Sequence, residues 1–390
     1  MIQKVTFLIL VFLTVFKSQA QILDQNSIQK LSSDQFLFTE GPTWDGNENI
    51  YFTDITGNRI YEYNINSQSF STVLNPTARA NGLMINKDGN LVVCHSSPGA
   101  VSEINTNGTL IQILTDQYNS TSYNSPNDLC IDALGNIYFT DPNFFASNQT
   151  VRVYLRKTNG DIIPLIDNIT APNGIIISPD GTKLYVDNSF SKIIKRYDIN
   201  NDGTLSNEIN FATLQFTPDI NEGESTGADG LSIDIDGNLY VTCSNGIQIF
   251  NNAGVHQETI SFPERPTNCT FGGSDMKTLF VTAQKNLYSI NGNVKGFRHP
   301  FDLPGFSLSN NSTPAVAIDT IIYPNPSLGR ITISDIDNID VINVYTITGN
   351  KIKSFQPDSK SIDLDLSSGL YIVNIIHKTG EKTIKKVKIK

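Results

Sequence analysis

Apolar and polar positions alternate along most of the chain in short runs of strand character, and helical periodicity is nearly absent. The runs come in pairs that recur: "EGPTWDGNENIYFTD" from Glu40, "NGLMINKDGNLVVCH" from Asn81, "NDLCIDALGNIYFTD" from Asn127, "NGIIISPDGTKLYVDN" from Asn173, "DGLSIDIDGNLYVTC" from Asp229 and "NCTFGGSDMKTLFVTA" from Asn268. Each copy pairs a short apolar strand with a second strand of the Leu-Tyr-Val-Thr kind, across a tight Asp-Gly-Asn turn. Weaker third strands follow, such as "RIYEYN" at 59–64 and "IIKRYD" at 193–198. The leading residues are 41, 46, 46, 56 and 39 apart, near the period of propeller blades. The pattern predicts an all-β protein: a six-bladed β-propeller over 21–305, followed by a linker at 306–319 and a small C-terminal β-sandwich over 320–390. The last blade of such a ring needs an outer strand, and "SIQKLSSDQFLF" at 27–38 is placed to supply it.

Composition narrows the partners. The 390 residues carry 28 Lys and Arg against 38 Asp and Glu, a net charge of −10, so most of the surface repels a phosphate backbone and nucleic acid is excluded as a partner. At the N-terminus Lys4 precedes an apolar run, and the small residues Ser18 and Ala20 precede Gln21. Residues 1–20 therefore read as a cleaved secretory signal, and no later stretch is long and apolar enough to span a bilayer. Cys94, Cys130, Cys243 and Cys269 show neither metal spacing nor disulfide density and read as small buried hydrophobes.

In a propeller the first strand of each blade is innermost, so its leading residue sits at the central channel. The six heads, Glu40, Asn81, Asn127, Asn173, Asp229 and Asn268, are all polar. Asn and Asp open strands because they cap turns well, which accounts for the four asparagines and leaves Glu40 poorly explained. Two carboxylates among amide oxygens form an oxygen-only donor set that suits Ca²⁺ better than zinc. The metal and turn-capping readings both stand at this point. Asp236, seven residues after Asp229 begins the repeat, reads with Asp45, Asp88 and Asp180 as a hairpin-turn residue. His95 stands level with Asp54 and Asp141 at the end of a second strand, either touching substrate at the mouth or serving as a hydrogen-bonded structural histidine. "GESTG" at 223–227 satisfies G-x-S-x-G, but an acidic loop precedes it and a strand follows, so Ser225 lacks the strand-turn-helix setting of a nucleophile. The 56-residue spacing marks an insertion at about 201–227 that leads into Asp229 and is placed to shape access.

Taken together and in order, "FTEGPTWDGNENIYFTD", "NSPNDLCIDALGNIYFTDP", "APNGIIISPDGTKLYV", "GADGLSIDIDGNLYV" and "PTNCTFGGSDMKTLFVTA" resemble the gluconolactonase and regucalcin (senescence marker protein) family of six-bladed propellers, over roughly residues 35–295. The resemblance implies a divalent cation, Ca²⁺ foremost with Zn²⁺, Mg²⁺ or Mn²⁺ as other candidates, held by Glu40, Asn173 and Asp229. It implies that Asn127 contacts metal or substrate, and that Asp229 is the general acid/base of lactone hydrolysis. Ser125 stands where sugar-lactone members often carry an arginine, and Phe144 and Phe145 stand where they can carry a glutamate. A less polar lactone or ester is therefore expected, with Asn127, Ser125 and His95 as candidate substrate-binding residues. Tyr323-Pro-Asn-Pro, Gly369-Leu-Tyr and the basic tail resemble the C-terminal sorting domain of the type IX secretion pathway, with a fibronectin-like module as the alternative. That resemblance implies the type IX machinery as a partner and a secreted or cell-surface location. Two functions follow: a secreted metal-dependent hydrolase of lactones or related esters, or a non-catalytic propeller that binds a cation or small ligand in its channel.

Overall fold

In four of the six repeats the turn is closed by a side chain at or just after the end of the first strand. Asp45 Oδ1 accepts the N–H groups of Asn47 and Asn49 at 2.7 and 3.1 Å, and Asn86 Oδ1 accepts those of Asp88 and Asn90, both at 3.0 Å. Asp132 Oδ1 does the same for Leu134 and Asn136 at 2.9 and 2.8 Å. In the fifth repeat the acceptor is Asp234, bonded by Asp236 N at 3.0 Å and Asn238 N at 2.9 Å. The counterpart of Asp45 is thus Asp234 and not Asp236, which is exposed. Asp88 is likewise at the surface, against Lys87. The turn is longer than a two-residue hairpin loop, so its Asx-type acceptor stands ahead of the Asp-Gly pair. Gly237 supplies the left-handed residue at φ +80°. Asp180 does hold its own turn, accepting from Thr182 N at 3.0 Å.

The computed structural model describes residues 21–144, 150–221, 223–306, 322–333, 336–346, 351–378 and 382–390; the expected signal segment, 1–20, lies outside them. The chain divides into two compact units, Met1–Leu308 and Ser309–Lys390. In the first, six four-stranded antiparallel sheets are built among the described residues. Their innermost strands are Thr39–Trp44, Ala80–Ile85, Leu129–Ile131, Pro172–Ile177, Leu231–Ile233 and Pro266–Gly272. The sixth sheet is completed from the N-terminus: Gln29–Lys30 pairs antiparallel with Asn286–Asn291, placing Gln29 opposite Ser289 and Lys30 opposite Tyr288. Only these two residues of the expected 27–38 strand enter the ladder. The rest turns away because Phe36 buries itself in the first blade, 5.1 Å from Phe52, 4.8 Å from Tyr61 and 5.4 Å from Phe70 between ring centres. One short segment thereby ties the last blade to the first.

Threonine hydroxyls stitch neighbouring blades: Thr140 Oγ1 donates to Asn173 O at 2.8 Å, Thr242 Oγ1 to Thr267 O at 2.8 Å, and Thr267 Oγ1 to Thr39 O at 2.7 Å. Inner strands approach so closely that a Cβ at Gly230 would lie 2.0 Å from the Asn268 side chain. The two Asp-Gly pairs of this repeat therefore use glycine for different reasons, one for close approach and one for a turn. The four cysteines are free and buried, as small core residues.

The chain leaves the sixth blade across one end of the channel. Phe297 N donates to Ile233 O at 3.0 Å, Arg298 lies 5.2 Å from the Trp44 ring centre and 4.0 Å from that of Phe301, and His299 Nε2 donates to Ile177 O at 2.7 Å. Burial pushes the His299 pKa down to about 4, so the ring is neutral. Together with residues of all six inner strands, Phe297, Arg298 and His299 enclose an interior cavity of about 50 Å³. Phe306 belongs to this packing, 5.3 Å from Phe301.

The second unit is a two-sheet sandwich. Ile322–Tyr323, Arg330–Ile333 and Ser361–Asp363 form one sheet, and Lys351–Phe355, Ile339–Thr346, Gly369–His377 and Lys382–Ile389 the other. Ile331, Ile333, Ile342, Val344, Leu364, Val373, Ile375 and Val387 fill its core. No helix among the described residues is long and apolar enough to cross a membrane.

Candidate active site at the channel mouth

Because each first strand starts at the axis, residues far apart in sequence meet at one end of the channel. Glu40, Asn81, Asn127, Asn173 and Asp229, five of the six heads, line a cavity of about 420 Å³. The sixth, Asn268, is turned inward. Its Nδ2 donates to Asp128 Oδ2 at 3.3 Å, its Oδ1 accepts from Cys269 N at 2.8 Å, and it lines the small interior cavity instead.

Two carboxylates, Glu40 and Asp229, line the mouth together with two guanidinium groups, Arg79 and Arg265. Glu40 and Asp229 are only 4% and 7% exposed. Burial raises the Glu40 pKa well above the usual carboxylate range, and the charges of Asp229 and Asp128 raise it further. Burial lifts Asp229 to about 7, against the charge of Arg265 and hydrogen bonds from Glu40 and Asn173. Arg265 Nη1 stands 3.4 Å from Asp229 Oδ2. Two further buried carboxylates stand close by. Asp128 is raised to about 7, mainly by burial, and Asp187 is raised well above its ordinary value by burial and by Asp229. Asp187 Oδ1 accepts from Gly174 N at 3.0 Å, and its Oδ2 has no hydrogen-bond partner among the described residues. Asn81 Oδ1, in the cavity wall, also has none. Buried carboxylates with raised pKa values, beside an amide oxygen without a partner among the described residues, are oxygen donors of the kind a hard divalent cation would suit; no cluster of three or more His, Cys, Asp or Glu able to hold a metal is present among the described residues.

Asn173 is oriented by the inserted loop. Thr226 N donates to Ser189 O at 2.9 Å, Ser189 Oγ donates to Ala228 O at 2.9 Å, and Asn173 Nδ2 donates to Ser189 Oγ at 3.1 Å. Ser125 and Asn127 both reach the cavity. The loop bearing Ser125 is held by Asp141, whose carboxylate accepts from Ser125 N at 2.7 Å and Asn124 N at 3.0 Å. Asp54 does the same in the first blade, for Leu37 N and Phe38 N, both at 3.0 Å.

His95 lies outside the cavity lining. Its Nδ1 donates to Thr77 O at 2.7 Å and its Nε2 accepts from Ser102 Oγ at 2.6 Å, while burial lowers its pKa and keeps it neutral. Both ring nitrogens are thus committed to the protein, which makes it the hydrogen-bonded structural histidine and not a substrate contact. Ser225 does line the cavity, but no imidazole among the described residues does. Phe144 and Phe190, 39% and 41% exposed, form an apolar part of the wall; Phe145 lies outside the described residues. Asp128, Asp187, Arg79 and Arg265 escaped the sequence reading. Arg79 carried one usable signal, since it stands two residues before a head, the place Ser125 occupies in the next blade.

A six-bladed propeller with carboxylates and amides gathered at one mouth defines a channel site built on the starts of its inner strands. The chain belongs to the family described as the SMP-30/gluconolactonase/LRE-like region, whose model matches residues 38–285. A gluconolactonase of Zymomonas mobilis is 29% identical over 299 residues, covering 69% of this chain and 82% of that protein. The lactonase drp35 of Staphylococcus haemolyticus is 26% identical over 264 residues, covering 64% and 79%. A solved structure of a gluconolactonase from Xanthomonas campestris aligns with a TM-score of 0.61 at 26% identity, covering 68% of this chain and 89% of that one. Residues 321–390 match a secretion system C-terminal sorting domain.

Proposed function

We propose that this protein is an exported, metal-dependent hydrolase that opens lactones or related esters, with Asp229 as general base. The carrying observation is the pair of buried carboxylates, Glu40 and Asp229, at the mouth that also gathers Asn81, Asn127 and Asn173. Its lactonase relatives support the reaction class, and the sorting domain supports export to the surface or the medium by a secretion machinery. Glu40, Asn173 and Asp229 would hold the cation, and an oxygen-only set favours Ca²⁺. When bound, a divalent cation supplies Lewis-acid polarisation of the reacting carbonyl.

The rest falls to the protein's own groups. Asn127 and Ser125, on adjacent wall positions, offer hydrogen bonds that orient the lactone. Asp229 takes a proton from the attacking water as the new C–O bond forms. It returns that proton to the ring oxygen as the old C–O bond breaks, so lactone and water become one hydroxy acid. Phe144 and Phe190 favour a substrate with an apolar part, unlike a polyhydroxylated sugar lactone.

The test is acid release from a lactone and ester panel, with and without chelator, by the parent and by Asp229→Asn. That substitution keeps a ligating oxygen and removes the base. Turnover is expected to fall by roughly 10²-fold or more while cation binding, followed by calorimetry, is only weakened. Near-normal turnover in cation-loaded Asp229→Asn would refute Asp229 as base. Absence of any turnover by the parent, with cation still bound, would leave a binding propeller.

A further inference from the structure

Two arginines line the mouth on either side of the first blade: Arg79 enters from the second and Arg265 from the sixth. Glu40 and Asp229 are the carboxylates of that same lining. A divalent cation held by those two would be neutralised by them, and with Asp128 and Asp187 buried behind the lining and raised in pKa, both guanidinium charges would remain. Resting on the cation site proposed above, the mouth is thus net positive on a chain whose overall charge is −10, which draws anions in and focuses them there.

Arg79 is exposed on a fixed backbone, and Arg265 is half-buried. The Arg79 backbone is left-handed, at φ +54° directly after Ala78 at φ +55°, and its position is locked. Its N–H donates to Asn58 Oδ1 at 2.8 Å, its carbonyl accepts from Ser96 N at 3.0 Å, and the same Asn58 oxygen accepts from Thr77 Oγ1 at 3.0 Å. No carboxylate among the described residues pairs with the Arg79 guanidinium. Arg265 gives only Nη1 to Asp229, at 3.4 Å, so most of its five donors stay free. Gly227, at φ +59°, makes room for it, since a Cβ there would come within 3.3 Å of Nη1.

We infer that the substrate carries a carboxylate apart from its reacting carbonyl, and that Arg79 and Arg265 hold it at the rim. Planar guanidinium forks match a carboxylate in geometry as well as charge. Phe190, on the fourth blade, stands across the ring from the first blade that the two arginines flank, with Phe144 on the third blade beside it, which offers the apolar part of the molecule a wall in the same cavity.

The experiment compares two ring-matched lactones in the full chain, 5-oxotetrahydrofuran-3-carboxylate and its methyl ester, with the parent and with Arg79→Gln. It adds calorimetric binding of tetrahydrofuran-3-carboxylate, which has no bond to hydrolyse. The Arg79 side chain has no partner to lose, and a thermal melt confirms that the variant folds. The parent is expected to prefer the carboxylate in kcat/KM, chiefly through KM. Arg79→Gln should shrink that preference by roughly tenfold or more and weaken tetrahydrofuran-3-carboxylate to match. Equal handling of acid and ester by the parent, or a preference unchanged in Arg79→Gln, overturns the inference and leaves the hydrolase reading standing. A variant altered only in inhibition by the ring-opened product also overturns it, because the arginines would then serve the leaving hydroxy acid. If neither lactone is hydrolysed while Arg79-dependent carboxylate binding persists, the hydrolase reading fails and the anion site survives.

Discussion

Replacing Asp234 by alanine removes the acceptor at the centre of the fifth blade's turn. Its carboxylate receives four hydrogen bonds, from Asp236 N at 3.0 Å, Asn238 N at 2.9 Å, Asn238 Nδ2 at 2.7 Å and Tyr240 Oη at 2.9 Å. A hydrogen bond to a charged group contributes about 1.5–3 kcal/mol net. The groups near the surface can turn to water, and burial already raises the Asp234 pKa, which offsets part of the gain. The Tyr240 hydroxyl cannot escape, because that residue is fully buried, and an unpaired buried donor costs about 1–3 kcal/mol. The sum points to a loss of about 3–5 kcal/mol. Asp236→Ala, at an exposed position, should stay within about 0.5 kcal/mol of the parent. Trp44 is the chain's single tryptophan and lies buried in the first blade, so urea unfolding of both variants can be followed by its fluorescence. An Asp236→Ala loss equal to that of Asp234→Ala would show that the Asp-Gly pair itself holds the turn, and the argument from hydrogen bonds would fail.

Asp128, near 7 when folded against about 3.9 in an unfolded chain, contributes stability that is full below about pH 4 and is lost as pH rises through 7. The stability of Asp128→Asn relative to the parent should therefore improve between pH 4 and 8, by on the order of 4 kcal/mol; a flat difference across chemical-denaturation curves would refute this. Chelation should lower the melting temperature and added Ca²⁺ restore it, and Glu40→Gln should bind the cation more weakly without unfolding; full affinity in that variant would remove Glu40 from the ligand set. A chain ending at Leu308 should remain soluble with unchanged turnover, since the propeller and sandwich have separate cores; failure of that chain to fold would contradict the division.

What was legible in the sequence was local. Strand, turn and strand lie within about fifteen residues, so the six repeats and their heads could be counted, and ring closure then placed Glu40 and Asp229 at one mouth. Asp234 was misjudged for Asp236 because an Asp-Gly pair looks like a two-residue loop, whereas the real turn reaches back to an acceptor two residues earlier. Asp128 and Asp187 stayed hidden in strands whose neighbours suggested only core. Their raised pKa values come first from burial by blades distant in sequence, reinforced for Asp187 by the charge of Asp229 and opposed for Asp128 by the hydrogen bond from Asn268. His95 stands at the same strand position as Asp141, yet nothing local reveals that Thr77 O and Ser102 Oγ occupy its two nitrogens. Phe36 left the expected closing strand for an aromatic cluster that exists only once the first blade is folded.

The segment of Phe297, Arg298 and His299 across the far end of the channel turns the propeller from a tube into a well. Whatever enters must back out by the same opening, past the same arginines and phenylalanines. Arrival and departure would then take turns: for the hydrolase proposed above, substrate and ring-opened acid would contend for one free form of the protein, and competitive inhibition by that acid is the expected outcome. Nothing can be handed through the disc to a neighbour on its other face, and all exchange with the surroundings happens on one side.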